Sequence, residues 1–208
     1  GPAVAQDRAE LARGNPDDPI VVGVYGDSLA EGLWGGIYRK LQRERGWSIL
    51  RRARHSTGFS RSSYFDWHAA IGDHLAQDRP DLAVVAIGLN DMQAFFMGGR
   101  RNVAFGSEAW IEAYADAVRR FAGRFEEAGV PLIWIGLPAM RPGNYADQML
   151  FINGIFEEVI AETSATFVPL YPLTIDEEGA YNAYLPDAEG RNRLVRANDG
   201  IHFTSRGY

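Results

Sequence analysis

The 208-residue chain contains no cysteine. That excludes disulfides, thiolate metal sites and cysteine nucleophiles together, and fits either redox compartment. No apolar run approaches the ~20 residues that a membrane-crossing helix needs, and no secretory signal pattern stands in the stretch. A basic excess is also missing: 27 Asp and Glu outweigh 21 Lys and Arg, for a net charge of −6 at pH 7. That is the wrong sign for a phosphate-binding surface, so nucleic acid is not an expected partner. Neither Gly-x-x-x-x-Gly-Lys nor Gly-x-Gly-x-x-Gly occurs, and no nucleotide cofactor is indicated. Histidine is scarce. His55, His68 and His74 include no i, i+4 pair, and His68 and His74 read as solvated or capping residues of a surface helix, not as metal ligands. No metal and no other cofactor is expected.

What is present describes an ordinary globular protein, 46% hydrophobic and 23% charged. Its length suits one domain with a full core. Residues 1–18, rich in Asp, Arg, Ala and Pro, read as a poorly packed leader, with Gly1-Pro2 as the scar of tag removal. Residues 19–208 read as a single domain. At the far end, Thr204-Ser205-Arg206-Gly207-Tyr208 reads as the opening of a helix that the sequence does not continue.

Short apolar runs alternate with helical patterns, the βαβα arrangement of a parallel sheet. Strands are expected at 20–25, about 48–54, 82–87, 131–136 and 166–170. Between them, Leu33, Ile37 and Leu41 share one helix face, and Gly46 follows as a stop. Ile111, Tyr114, Val118, Phe121 and Phe125 form a second apolar stripe, opened by Ser107 and closed by Gly129. Ile152, Ile155, Phe156, Val159 and Ile160 form a third. Residues 55–65, 88–106 and 171–200 show no regular period. Loops of that length are usually functional, and all three leave the same edge of the sheet.

At that edge the first strand runs into Gly26-Asp27-Ser28-Leu29. Ser28 then stands at a helix N-terminus, where unpaired N–H groups and the helix dipole favour negative charge. The rival serine motif Gly-x-Ser-x-Gly is absent, because position 30 is Ala. Ser56-Thr57-Gly58 follows the second strand, Gly88-Leu89-Asn90-Asp91 the third, and Asp199-Gly200-Ile201-His202 lies near the C-terminus. Each motif alone is commonplace; four in this order, each after the right element, are a pattern. Together they resemble the signature blocks of the SGNH (GDSL-type) hydrolases, over residues 20–203. Within that superfamily the chain looks most like a bacterial, usually extracytoplasmic branch of largely unassigned function, related to enzymes that add or remove acyl groups on polysaccharides.

The resemblance implies a three-layer α/β/α sandwich around a parallel five-stranded sheet. It implies Ser28 as nucleophile, His202 as general base and Asp199 as the carboxylate that orients the imidazole. The oxyanion donors would be the Ser28 and Gly58 N–H groups and the Asn90 side-chain amide, with Gly58 allowing close backbone approach to substrate. Asp27 is left to brace the nucleophile turn. Asp91, Gln93, Phe59, Arg61, Phe95 and Arg100 fall on the active-edge loops and are candidate substrate contacts. Arg51, Arg52 and Arg54 read as the dressing of a strand edge. The expected activity is hydrolysis of O-acyl esters, acetyl first, on an envelope or extracellular carbohydrate, in the periplasm or otherwise outside the cytoplasm. The same triad would serve an acyltransferase or a lipid-ester or thioester hydrolase, and the same fold a non-catalytic glycan-binding module.

Overall fold

The computed structural model of the chain describes residues 15, 17–41, 46–97, 101–143 and 145–208. The elements run β1 (Ile20–Gly26), α1 (Ser28–Leu41), β2 (Trp47–Ala53), α2 (Trp67–Gln77), β3 (Leu82–Ala86), β4 (Phe95–Met97), β5 (Arg101–Val103), α3 (Glu108–Glu127), β6 (Leu132–Ile135), α4 (Tyr145–Ala161), β7 (Thr166–Val168), β8 (Tyr184–Pro186) and β9 (Asn192–Leu194). Five of the strands form one parallel sheet in the order β2-β1-β3-β6-β7. The remaining strands pair as two short antiparallel hairpins, β4 with β5 and β8 with β9.

Side-chain alternation sorts the helices into two layers. On one face α1 lies over β2 and β1, with the Trp34 indole N–H donating to the Ile49 carbonyl at 3.1 Å. On the other, Tyr25 meets Phe125 of α3 edge-on at 5.1 Å, and Trp134 of β6 packs on Phe121 and Phe156. The result is the expected α/β/α sandwich. The predicted stripe of α3 is its buried face: Tyr114, Val118, Phe121 and Phe125 are fully buried, while Ile111 is half-buried. Ser107 caps that helix, its Oγ accepting from the Trp110 N–H at 3.3 Å.

Several expectations change. The stretch 88–106 holds the β4–β5 hairpin, and 171–200 holds a single 3₁₀ turn (Tyr171–Thr174) and the β8–β9 hairpin. Strands of three residues are too short to show alternation. The second hairpin is built from its turn, where the Asp187 carboxylate accepts from the Glu189 and Arg191 N–H groups and pairs with Arg191 and Arg193. His68 and His74 are half-buried against aromatic rings rather than solvated or capping. His68 stacks on Phe59 at 5.6 Å and His74 lies 6.2 Å from Tyr25, and burial lowers the pKa of both. β2 is the outer strand of the sheet, and the arginines along and just after it dress that edge as expected: Arg51 pairs with Glu31 at 2.6 Å, Arg52 with Asp78, and Arg54 covers the Phe65 ring. Thr204 opens one turn, its carbonyl accepting from Tyr208 N–H at 3.1 Å, and the Tyr208 ring packs where Gly32 of α1 leaves room. Of the N-terminal leader only residues 15, 17 and 18 are described; the rest lies outside the described residues, as does Arg100.

Candidate active site

The nucleophile turn is fixed from behind. β1 ends at Gly26 with φ +137°, where a Cβ would stand 2.6 Å from the Ala86 carbonyl carbon, so only glycine lets the first and third strands close at this edge. Next comes Asp27, fully buried, accepting from Leu29 N–H at 2.9 Å on Oδ1 and from Gly88 and Leu89 N–H at 3.1 and 3.0 Å on Oδ2. It therefore ties the turn to the loop after β3, the bracing role expected of it. Burial pushes its carboxyl up to about 7 against the pull of those three N–H donors. Ser28 follows as the first residue of α1, half-buried, with its Oγ 2.7 Å from His202 Nε2.

Asp199 and His202 share one tight turn. Asp199 Oδ1 accepts from the Ile201 and His202 N–H groups at 2.8 and 2.9 Å, and the imidazole Nδ1–H donates to Oδ2 at 2.7 Å. Partial burial works to raise this carboxyl, but the imidazole and the two N–H donors prevail and hold it at about 2. The turn is held by its neighbours. Ala197 N–H donates to the His202 carbonyl at 2.8 Å, and Arg141 N–H to the Gly200 carbonyl at 3.0 Å, while the Arg141 guanidinium bonds Asn198. Arg196, 1% exposed, lies between the Tyr181 and Phe203 rings and donates to the Ile201 carbonyl at 2.9 Å.

Asn90 comes to the same place from the β3 edge. Its Nδ2 donates one hydrogen to the Thr57 carbonyl at 3.0 Å, and a carboxamide carries two. Gln93 steadies it from outside, Nε2 donating to the Asn90 carbonyl at 2.7 Å. Gly58 is buried, and its N–H has no acceptor among the described residues. The need for glycine here does not arise from substrate approach, because a Cβ would stand 2.8 Å from Asp91 Cγ, behind the loop.

Asp91 is accordingly not a substrate contact. It is fully buried and accepts from Phe59 N–H (3.1 Å), Ser60 N–H (2.9 Å), Ser60 Oγ–H (2.8 Å) and Tyr114 O–H (2.7 Å). Burial raises its pKa, opposed by those donors. Phe59 is likewise core, 3% exposed and packed against Tyr114, Phe121 and Trp134. Phe95 leans on Tyr114 at 6.5 Å and is half-buried, apart from the cavities at Ser28 and Asn90. Of the six candidate contacts, Arg61 and Gln93 line a cavity adjoining Asn90.

Ser28, His202 and Asn90 open into a cavity of about 540 Å³, walled by Leu89, Ile201, Tyr145 and Tyr208 and edged by Glu31, His55 and Ser56.

A family model described as "Protein of unknown function (DUF459)" matches residues 21–208. The chain belongs to this family. No curated protein matches it in sequence. Among solved structures it is similar to a GDSL-like lipase from Bacteroides thetaiotaomicron, with a TM-score of 0.63 and 20% identity over 98% of this chain and 89% of that one. It is also similar to AlinE4, an SGNH-hydrolase family esterase, with a TM-score of 0.53 and 17% identity over 83% and 89%. A third likeness is to the psychrotrophic esterase EstA from Pseudoalteromonas in a structure inhibited by monoethylphosphonate, with a TM-score of 0.56 and 14% identity over 90% and 89%. The fold of this DUF459 member is that of the SGNH hydrolases.

Sequence reasoning missed part of the cavity wall. Ser56, the one described non-glycine residue with positive φ (62°), opens the Ser-Thr-Gly block, and His55 precedes it; both line the cavity. Strained backbone of this kind concentrates at functional sites, but no residue pattern announces it. Tyr145 opens α4 beyond β6, at the same sheet edge as Ser28; the rule that active-site groups gather at strand carboxyl ends could have found it.

Proposed function

We propose that this protein is a serine ester hydrolase that removes short O-acyl groups, acetyl first, from an envelope or extracellular carbohydrate. The observation that carries the reading is the continuous path from Ser28 Oγ to His202 Nε2 and from Nδ1 to Asp199 Oδ2, both steps 2.7 Å. A carboxylate held at about 2 stays ionised at any working pH, so it fixes the Nδ1–H tautomer and leaves Nε2 free to accept.

In the first half-reaction Ser28 Oγ attacks the ester carbonyl carbon while its proton passes to Nε2. The resulting oxyanion is met by the Ser28 N–H at the start of α1, the unpaired Gly58 N–H and the second hydrogen of the Asn90 amide. Collapse breaks the bond to the alcohol, which leaves with the proton from Nε2. A water then repeats the sequence on the acyl-serine, and the carboxylic acid departs.

Support for a short acyl group comes from cavity shape. An apolar groove of about 170 Å³ between Leu33, Ile135, Val168 and Phe203 is a separate space that shares only Tyr208 with the Ser28 cavity. A carbohydrate alcohol suits the polar side chains at the cavity edge, Glu31, His55 and Ser56, and the family resemblance supports a site of action outside the cytoplasm. The test combines a fluorophosphonate label with an acyl series of nitrophenyl esters. The protein should label at Ser28 and favour acetate over long chains, and Ser28→Ala should abolish both. Full turnover by Ser28→Ala would overturn the proposal.

A further inference from the structure

Beside the Ser28 cavity lies a second one of about 420 Å³, sharing Leu89, Asn90 and Tyr145 with it and otherwise lined by Arg61, Met92, Gln93 and Gln148. We infer that this cavity is a subsite for an anionic group, carboxylate or phosphate, on the alcohol half of the ester, with Arg61 as the residue that reads the charge. The inference rests on the ester-hydrolase reading above and adds the class of its substrate.

Arg61 is the one cationic side chain among the described residues that line this cavity. Arg51, Arg52, Arg119, Arg120, Arg124, Arg191 and Arg193 each hold a carboxylate. Arg61 holds none among the described residues; Arg39, Arg79, Arg141 and Arg196 hold none either, but their guanidinium groups are taken up by main-chain carbonyls, and Arg54 lies on Phe65 away from this cavity. The Arg61 guanidinium lies over the Tyr64 ring, 5.3 Å from the centroid, which leaves its planar donor edge for a ligand. Asp91, next to Asn90 in sequence, is consumed by Phe59, Ser60 and Tyr114, and Asp66 by the N–H groups of the helix it caps. Among the described residues no acidic side chain lines this cavity, whereas Glu31 edges the neighbouring one.

The rest of the wall is matched to a sugar. Gln93 spends Nε2 on the Asn90 carbonyl and keeps its Oε1 as an acceptor for a hydroxyl. Gln148, half-buried on α4, offers both a donor and an acceptor. Paired carboxamides beside a guanidinium recognise hydroxyls next to an anion, and a bidentate Arg–oxyanion contact fixes orientation. Because the shared wall includes Asn90, a ligand held here projects its esterified oxygen toward the oxyanion donors. The acyl group is small and neutral in this reading, so the anion belongs to the alcohol.

Arg61 suits substitution, because its loop is held by main-chain bonds: Arg61 N–H to the Gly58 carbonyl, and Tyr64 and Phe65 N–H to the Arg61 carbonyl. The experiment compares kcat/KM for acetylated nitrophenol with that for its ring-carboxylated analogue, acetylated hydroxy-nitrobenzoate, in the full chain. Wild type should prefer the carboxylated ester, and the preference should shrink as ionic strength rises. Arg61→Ala should cut the ratio by about tenfold or more and Arg61→Glu should invert it, while Arg119→Ala, on the remote face of α3, should leave it alone. Competition by glucuronate, by glucose phosphate and by glucose then distinguishes carboxylate from phosphate, with glucose the weakest. A ratio at or below unity in wild type, or one that Arg61→Glu leaves unmoved while Ser28-dependent hydrolysis persists, overturns the subsite alone. Absence of Ser28-dependent hydrolysis of both esters overturns the ester-hydrolase reading, and the subsite with it.

Discussion

The Asp91 carboxylate occupies the space that a side chain at Gly58 would need, with its Cγ 2.8 Å from where a Cβ would stand. Asp91 thereby joins the loop after β2 to the loop after β3, since its other partners are Phe59, Ser60 and Tyr114. Gly58→Ala should displace that loop and cost about 1–3 kcal/mol, the range for overpacking. The cost should be smaller in an Asp91→Ala background, where the methyl has room. Urea unfolding of the two single variants and the double variant measures the coupling. Strictly additive losses would show that the glycine serves something other than Asp91.

Asp27 gives the protein a pH-dependent stability with a definite sign. Its folded-state pKa, about 7, lies above the ordinary 3.8, so the native state binds the extra proton between these values. Stability from this group is full below about pH 4 and is lost as pH rises through about 7. His68 and His74, lowered by burial, act in the opposite direction. Comparing wild type with Asp27→Asn at each pH isolates the aspartate. The stability of wild type relative to the variant should fall by on the order of 3–4 kcal/mol across that window. A difference that stays constant from pH 4 to 8 would contradict a raised pKa.

Much of this architecture is legible in the residues themselves. β1 and β3 are apolar runs because both faces are covered, and α3 announces its buried side by spacing. Ser28, Asn90, Asp199 and His202 are legible as motifs, and the fold brings Ser28, Asn90 and His202 to one cavity with Asp199 bonded to the imidazole behind them. What fails is the assignment of neighbours. Asn90 and Asp91 are adjacent, yet one faces the cavity and the other is sealed behind it, because a loop without a period carries no inside or outside. Phe59 suffers the same ambiguity. Arg196 carried no signal at all, since burial of an arginine depends on two rings brought from elsewhere in the chain. The hairpins β4–β5 and β8–β9 are too short for alternation to register, and their turns do the specifying.

Asn90 should separate catalysis from stability. Asn90→Ala removes the side-chain amide from the cavity that Ser28 also lines, and with it one hydrogen bond to the Thr57 carbonyl. The expected loss in kcat is about 10²–10³-fold, the usual effect of deleting one oxyanion donor. The structural bond alone is worth about 1 kcal/mol, so the fold should survive. Steady-state kinetics beside thermal unfolding makes the comparison. A kcat within a fewfold of wild type would remove Asn90 from the oxyanion site.

Arg196 is a positioning residue whose test turns on the difference between packing and geometry. Its guanidinium is buried between Tyr181 and Phe203, burial lowers its pKa, and its one hydrogen bond goes to the Ile201 carbonyl, the residue before His202. Nε and Nη1 have no partner among the described residues. A buried cation so thinly compensated contributes little net stability, and an apolar side chain of similar length often replaces such a group at no cost. Arg196→Met should therefore move the unfolding free energy by about 1 kcal/mol or less. The turn that aligns Asp199 with His202 loses its clamp, however, so kcat should fall by about tenfold while KM changes little, and Arg196→Lys should recover part of the loss. A large loss of stability with unchanged kcat per folded molecule would make Arg196 a packing residue and leave the alignment of His202 to Arg141 and the Asp199 turn.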